Sequence, residues 1–187
     1  MPSDFLIIIY FILKDTLRYL MIPHPDSQDF AVNCAVITVS DTRTPETDRS
    51  GQIIQQLLQN AGHHVSIYTI VKDEPVAIQE LLEYLEHQFE LEAIIFSGGT
   101  GIAPRDTTYD IVSNWLTKTI PGFGEIFRYL SYQEIGSRAI ASRATAGVKN
   151  QKLVFSLPGS SNAVELAISK LILPELNHLI KQVQGRK

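Results

Sequence analysis

Short apolar runs rich in β-branched residues alternate along this chain with stretches whose apolar positions recur every three or four residues. That is the pattern of strands separated by amphipathic helices. Residues 34–39, CAVITV, form the first run, and a polar loop, SDTRTPET, follows at 40–47. Residues 49–61 then place Ile53, Ile54, Leu57 and Leu58 at helical spacing, and Gly62 ends that helix. A second strand is expected at 65–71, followed by the loop Lys72-Asp73-Glu74-Pro75, where Pro75 suits a first helical turn. The next helix, 76–89, puts Ile78, Leu81, Leu82 and Leu85 on one side. An apolar run from Ala93 ends in Gly98, Gly99, Thr100 and Gly101, and a further helix carries Ile111, Val112, Trp115 and Leu116. Strands and helices in strict alternation predict an α/β protein, with a parallel sheet covered by helices on both faces.

After Pro121 the pattern changes. Residues 122–136 read as a short aromatic-rich helical region, and 137–147 are rich in small residues. Residues 145–148 and 152–157 flank a Lys149-Asn150 turn, a hairpin that adds an antiparallel strand to the sheet. Pro158, Gly159, Ser160 and Ser161 close that strand and open a last helix through Val164, Leu166, Ala167 and Leu171. Pro174 is expected to break it before a final turn.

Length and composition narrow the class. At 187 residues, with 44% apolar and 19% charged residues, residues 31–187 are expected to form one domain. A net charge of −4 lacks the electropositive footprint of a nucleic-acid binder. The single cysteine, Cys34, excludes an internal disulfide and any multi-cysteine metal site, and its apolar surroundings predict a buried, inert thiol. Residues 5–13, FLIIIYFIL, are wholly apolar, but nine residues are too few to span a bilayer, which takes about 18 or more. They also lack the basic flank and cleavage site of a signal peptide. The segment either packs on the domain or a partner, or belongs to an N-terminal extension, residues 1–30, of which residues 1–20 lie upstream of a natural start at Met21. The second is the expectation here, with a cytoplasmic protein and no stable membrane span.

The candidate chemistry centres on residues 93–112. A strand running into a glycine turn and then a helix is how α/β proteins build an anion site. Gly98, Gly99 and Gly101 let backbone N–H groups approach a phosphate without Cβ interference. The spacing matches neither a P-loop nor a dinucleotide fingerprint, since Pro104 and Arg105 stand where the required residues would be. Three glycines after a buried strand also suit a plain tight turn, but Thr100, Arg105, Asp106 and Thr107 add a guanidinium and a carboxylate that such a turn does not need. Ligands of open parallel sheets bind beyond the carboxyl ends of the strands. The loops at 40–48, 72–75, 98–106 and 158–161 are therefore expected to converge. They bring Asp41, Asp48, Asp73 and Asp106 beside two glycine turns, and carboxylates beside a phosphate cradle call for a cation, most economically Mg²⁺. The turn holding Thr100 and the turn holding Ser160 are expected to face each other across a shared cleft, with acids 73 and 106 at its floor. Each acid also has a plainer reading, Asp73 and Asp106 at helix starts and Asp41 and Asp48 as solvated loop acids. Ser160 and Ser161 are natural N-caps. His63 and His64 lack partners at zinc-ligand spacing, and Phe123, Phe127, Tyr129 and Tyr132 read as core or subunit interface.

An ordered set of motifs goes further: Ser40-Asp41, Asp48 with Ser50-Gly51, Asp73-Glu74, Gly98-Gly99-Thr100-Gly101 with Arg105-Asp106, Pro121-Gly122-Phe123-Gly124-Glu125, and Leu157-Pro158-Gly159-Ser160. Over residues 33–179 the chain resembles the MoaB/MogA family of molybdenum cofactor biosynthesis proteins. Phe123 to Arg128, Glu134-Ile135-Gly136 and Ser142-Arg143-Ala144 look like its MoaB branch. The resemblance implies a three-layer α/β/α domain, a mostly parallel sheet with one antiparallel hairpin strand, that forms homotrimers or homohexamers and binds molybdopterin. It also implies adenylylation of that pterin with Mg-ATP. The catalytic, metal-holding aspartates would fall on Asp73 and Asp106. The substrate pocket would be formed by Ser40, Asp41, Asp48, Ser50, Gly98, Gly99, Thr100, Gly101, Arg105, Pro158, Gly159 and Ser160. A non-catalytic molybdopterin carrier of the same pathway is the alternative.

Overall fold

In strand β1 (Asn33–Val39), every residue after the first is buried, and in β3 (Ala93–Ser97) every residue is. Such strands must be covered on both faces, which explains their unbroken apolar runs. The computed structural model of the chain describes residues 30–186. The apolar run at 5–13 and, apart from Phe30, the whole expected extension lie outside the described residues.

β1 lies between β2 (His64–Val71) and β3, parallel to both, and β3 pairs in parallel with β6 (Lys152–Leu157). β5 (Thr145–Lys149) runs antiparallel to β6, and the two-residue β4 (Lys118–Thr119) closes the far edge, giving the order β2-β1-β3-β6-β5-β4. Side-chain alternation splits the core in two. On one face Val36, Ile95 and Phe155 meet Ile54 and Leu58 of α1 (Arg49–Asn60), Phe127 of α4 (Pro121–Ile135), Val164 of α5 (Ser161–Ala167) and Ile180 of α6 (Leu173–Gln184). On the other, Ile37, Phe96 and Val154 meet Ile78, Leu82 and Leu85 of α2 (Pro75–Glu86) and Val112 of α3 (Thr108–Trp115). This is the expected α/β/α sandwich. Among the described residues, no helix is long and apolar enough to cross a membrane.

Three details differ from the sequence reading. β4 was not anticipated, because two exposed residues carry no alternation to read. The aromatic region is helical as expected, over Pro121–Ile135, with Phe123 and Phe127 inward and Tyr129 and Tyr132 exposed. The hairpin turn falls one residue later than expected, on Asn150 and Gln151, whose φ values of 45° and 62° are those of a tight two-residue turn. Pro174 does not break the last helix; it sits in the first turn of α6, which runs for 12 residues. The chain widens by one residue just before it, over Ile168–Ile172, where Leu173 N–H bonds the carbonyl of Ile168, five residues back. A locally wider turn accommodates the N–H that Pro174 lacks, so the helix continues.

Candidate functional site

Because β2, β1, β3 and β6 are parallel, their carboxyl ends share one rim, and the backbone ties their exits together. Ser40 N–H donates to Val71 O at 2.8 Å, and Gly98 N–H to Leu157 O at 3.0 Å. Gly98 has φ of +106°, and a Cβ there would stand 2.3 Å from Val39 O. A Cβ on Gly159 would come 3.0 Å from Gly98 Cα. The two glycine turns thus lie on the same rim in direct contact at Gly98 and Gly159, closer than turns facing across an open cleft. Thr100 is buried, while Pro158 is half-buried.

Asp73 is bound to the glycine turn's exit instead of starting α2, whose N-cap is Glu74. Its Oδ1 accepts from Thr107 N–H at 3.3 Å, Thr107 Oγ1 at 3.0 Å and Thr108 Oγ1 at 3.4 Å. Its Oδ2 lies 2.5 Å from where a Cβ on Gly99 would be, so only glycine, here with φ of +63°, lets the carboxylate sit against this turn. Asp106 does not cap α3 either, since that helix begins at Thr108 after Thr107. Its Oδ2 accepts from Ala103 N–H at 3.1 Å and stands 2.5 Å from a Cβ built on Gly101. Both carboxylates are half-buried and flank the same glycine turn. Among the described residues, Asp73 Oδ2 and Asp106 Oδ1 accept no hydrogen bond. No group of three or more His, Cys, Asp or Glu could cage a metal among these residues, so a cation here would draw its remaining ligands from substrate oxygens and water.

The other predicted residues divide by role. Asp41 is exposed; its Oδ1 accepts from Asp73 N–H at 3.2 Å, and it pairs with Arg105. It therefore supports the turn that carries Asp73. The Ser40 hydroxyl accepts from the N–H groups of Thr42 and Arg43, folding its own loop. Asp48 is not a solvated acid: it is wholly buried and caps α1. Thr38 Oγ1 donates to it at 2.5 Å, Tyr68 OH at 2.9 Å, Gly51 N–H at 3.0 Å and Arg43 Nη1 at 3.0 Å. Burial alone would push its carboxyl up, but these donors outweigh burial and hold it below the ordinary carboxylate value. Burial, followed by the hydrogen bond to Asp48, pushes Tyr68 up to about 12. With no face left for a ligand, Asp48 acts on the rim through Arg43. Ser50 is also buried, and its hydroxyl donates to Gly159 O at 2.8 Å. Ser160 caps α5 by accepting from Ala163 N–H at 3.3 Å.

Two arginines at the rim escaped sequence reasoning. Arg43 spans Asp48, Ser50 and Gly159, and Arg143 donates to Gly101 O at 3.1 Å. Their signal was weak: an arginine five residues before a capping Asp, and one inside a motif used only to place the branch. An apolar cavity of about 370 Å³ between α4 and α6, lined by Ile120, Phe123, Ile126, Phe155, Leu171 and Leu179, shares no residue with these loops and carries none of this chemistry.

Fold and rim define an α/β/α protein with paired glycine turns and half-buried acids at the carboxyl edge of a parallel sheet. The chain belongs to the family described as a probable molybdopterin binding domain, which matches residues 35–178. It is 51% identical over 165 residues to Molybdenum cofactor biosynthesis protein B of Bacillus subtilis, covering 88% of this chain and 97% of that one. Among solved structures it is similar to a Molybdenum cofactor biosynthesis protein B, with 48% identity, a TM-score of 0.82, and coverage of 86% of this chain and 100% of that one. It is also similar to the tungsten cofactor synthesizing protein MoaB from Pyrococcus furiosus, with 35% identity, a TM-score of 0.72, and coverage of 84% and 99%.

Proposed function

We propose that this protein acts in molybdenum cofactor biosynthesis, binding molybdopterin and adenylylating it with Mg-ATP. The observation that carries this reading is the placing of Asp73 and Asp106 on either side of one glycine turn, each with a carboxylate oxygen that no described residue occupies. These two residues would hold Mg²⁺, which when bound neutralises charge on the reacting phosphates. The pterin's terminal phosphate oxygen attacks the α-phosphorus of ATP. The bond from that phosphorus to the bridging oxygen breaks, and pyrophosphate leaves. Backbone N–H groups of the two turns face the charge that develops, and no side-chain nucleophile takes part. Gly98, Gly99, Thr100, Gly101, Pro158, Gly159 and Ser160 form the phosphate-binding rim in this reading, and Asp41 with Arg105 supports it.

The test is pyrophosphate release and adenylylated pterin from purified protein, molybdopterin and Mg-ATP. Wild-type turnover with rates lowered by about 100-fold or more in Asp73→Ala and Asp106→Ala is expected. Equal rates in wild type and both variants would overturn the catalytic assignment. Tight, ATP-independent pterin binding without turnover would make the protein a carrier instead. We further infer a homotrimer or homohexamer. Ile126, Tyr129, Tyr132 and Ile135, spread over the outward half of α4, are large, exposed apolar or aromatic side chains of the kind a subunit interface covers.

A further inference from the structure

Each of the two glycine turns has one carbonyl held by an arginine that is itself anchored by a carboxylate. Arg43 donates from Nη2 to Gly159 O at 3.1 Å, while its Nη1 reaches Asp48 Oδ1 at 3.0 Å and Ser50 Oγ at 2.9 Å. The Ser50 hydroxyl adds a second donor to Gly159 O at 2.8 Å. Arg143 donates from Nη1 to Gly101 O at 3.1 Å, pairs through Nη2 with Asp110, and lies 4.2 Å above the Tyr109 ring. Both contacts cross long stretches of chain, and both end on a glycine, the residue whose flanking peptides rotate most freely.

A guanidinium fork fixes such a peptide plane in a way a point charge does not. No peptide in the described chain is cis, so the N–H that follows each held carbonyl points the opposite way. For Gly159 that N–H belongs to Ser160, and for Gly101 it belongs to Ile102. Neither of these amides finds a backbone acceptor among the described residues. The arginines therefore spend their donors on the carbonyls and leave two N–H groups unclaimed, one on each turn.

We propose that Arg43 and Arg143 are positioning residues that orient these two peptides so that Ser160 N–H and Ile102 N–H serve as donors to the phosphate groups of the reactants. The inference rests on the anion-binding reading of the two turns, but not on adenylyl transfer.

The test is a titration of the ¹⁵N-labelled full chain with inorganic pyrophosphate, following the Ser160 and Ile102 amide signals in wild type, Arg43→Lys and Arg143→Lys. Lysine keeps a cation beside Asp48 or Asp110 but cannot also fork to the glycine carbonyl. Both amides are expected to shift in wild type. In Arg43→Lys the Ser160 response is lost, and in Arg143→Lys the Ile102 response is lost. Pyrophosphate affinity falls about tenfold in each, with Tm held close to wild type, because one charge-assisted contact is withdrawn. If Arg43→Lys does not fold, Ser50→Ala removes the second donor on Gly159 O and is expected to weaken the Ser160 response in the same direction. Amides that stay silent at saturating pyrophosphate in wild type, or respond equally in the lysine variants, would overturn the proposal. The titration contains neither pterin nor ATP, so normal amide responses without turnover would refute adenylyl transfer alone. Normal turnover with silent amides would refute the positioning role alone.

Discussion

Asp48 and Arg43 illustrate how single side chains at this rim divide structural from chemical work. A carboxylate without solvent contact must have its lone pairs filled by donors, and Thr38, Arg43, Gly51 and Tyr68 fill those of Asp48. Removing its charge leaves Arg43 unpaired and weakens the α1 cap, so Asp48→Asn is expected to destabilise the protein by about 3 kcal/mol in urea unfolding. The pH dependence follows from the sign of the shift. The folded-state pKa of Asp48 is depressed, so its contribution is present above the unfolded value and is lost as pH falls through the folded one. Unfolding measured between neutrality and about pH 3 should therefore show an acid-limb loss of stability in wild type that is flatter in Asp48→Asn. Cys34 is wholly buried, and burial, with the nearby Glu92 charge, pushes its thiol up to about 12. A thiol reagent at pH 8 should leave the native protein unlabelled and modify one thiol after denaturation. The burial of Cys34 was legible from its apolar neighbours. That of Asp48 was not, because its four donors come from β1, the loop after it, β2 and the start of α1, which only the fold brings together.

At the scale of elements, the glycine turn works because two carboxylates occupy the space its Cβ atoms would fill. In Gly101→Ala the new methyl would meet the Asp106 carboxylate, the end of a flexible side chain, so that acid must swing away while the fold remains. The proposed pterin adenylylation should fall at least tenfold with little change in Tm. Gly99→Ala should be harsher. Its positive φ disfavours any side chain, and its Cβ would stand 2.1 Å from Thr108 Oγ1 as well as against Asp73, so a loss of about 2 kcal/mol in thermal unfolding is expected. The opposite sign is expected at the hairpin, where Gln151 holds a φ of 62° that glycine adopts at no steric cost. Gln151→Gly should stabilise the chain by about 0.5–1 kcal/mol, read as a higher Tm. The hairpin itself was readable from its flanking apolar runs, while the exact turn residues were not. Asn150 and Gln151 take positive φ only because β5 and β6 pair in the register that ends with Lys149 opposite Lys152.

Among the described residues, large apolar or aromatic side chains are left in water at several places, Val76, Tyr84, Phe89 and Ile102 as well as along α4. Ile126, Tyr129, Tyr132 and Ile135 wind around the outward half of α4 and remain exposed, although the inward Phe123 and Phe127 of the same helix are buried. The proposed assembly would bury them, and sedimentation velocity on the full chain is expected to show a trimer or hexamer. Tyr129→Glu should shift the population toward monomer without lowering helix content, because the side chain takes no part in the core. A chain that sediments as monomer at micromolar concentration would end the oligomer reading.

The amino-acid order by itself was enough for the alternation of elements, the sheet covered on both faces, the two glycine turns and the motifs that mark the family. These depend on residue type and local spacing, which a sequence displays directly. What the tertiary structure decided was how those pieces work on one another. It set Gly98 against Gly159, took Asp48 out of solvent, moved Asp73 from a helix start to the glycine turn's exit, and gave Arg43 and Arg143 their carbonyl partners. It also let α6 continue past Pro174, through one widened turn packed against the core. Contacts such as Asp73 with Thr107, 34 positions apart, or Arg43 with Gly159, 116 apart, depend on strand register and on which loops share a rim, and neither is written in the spacing of any one segment.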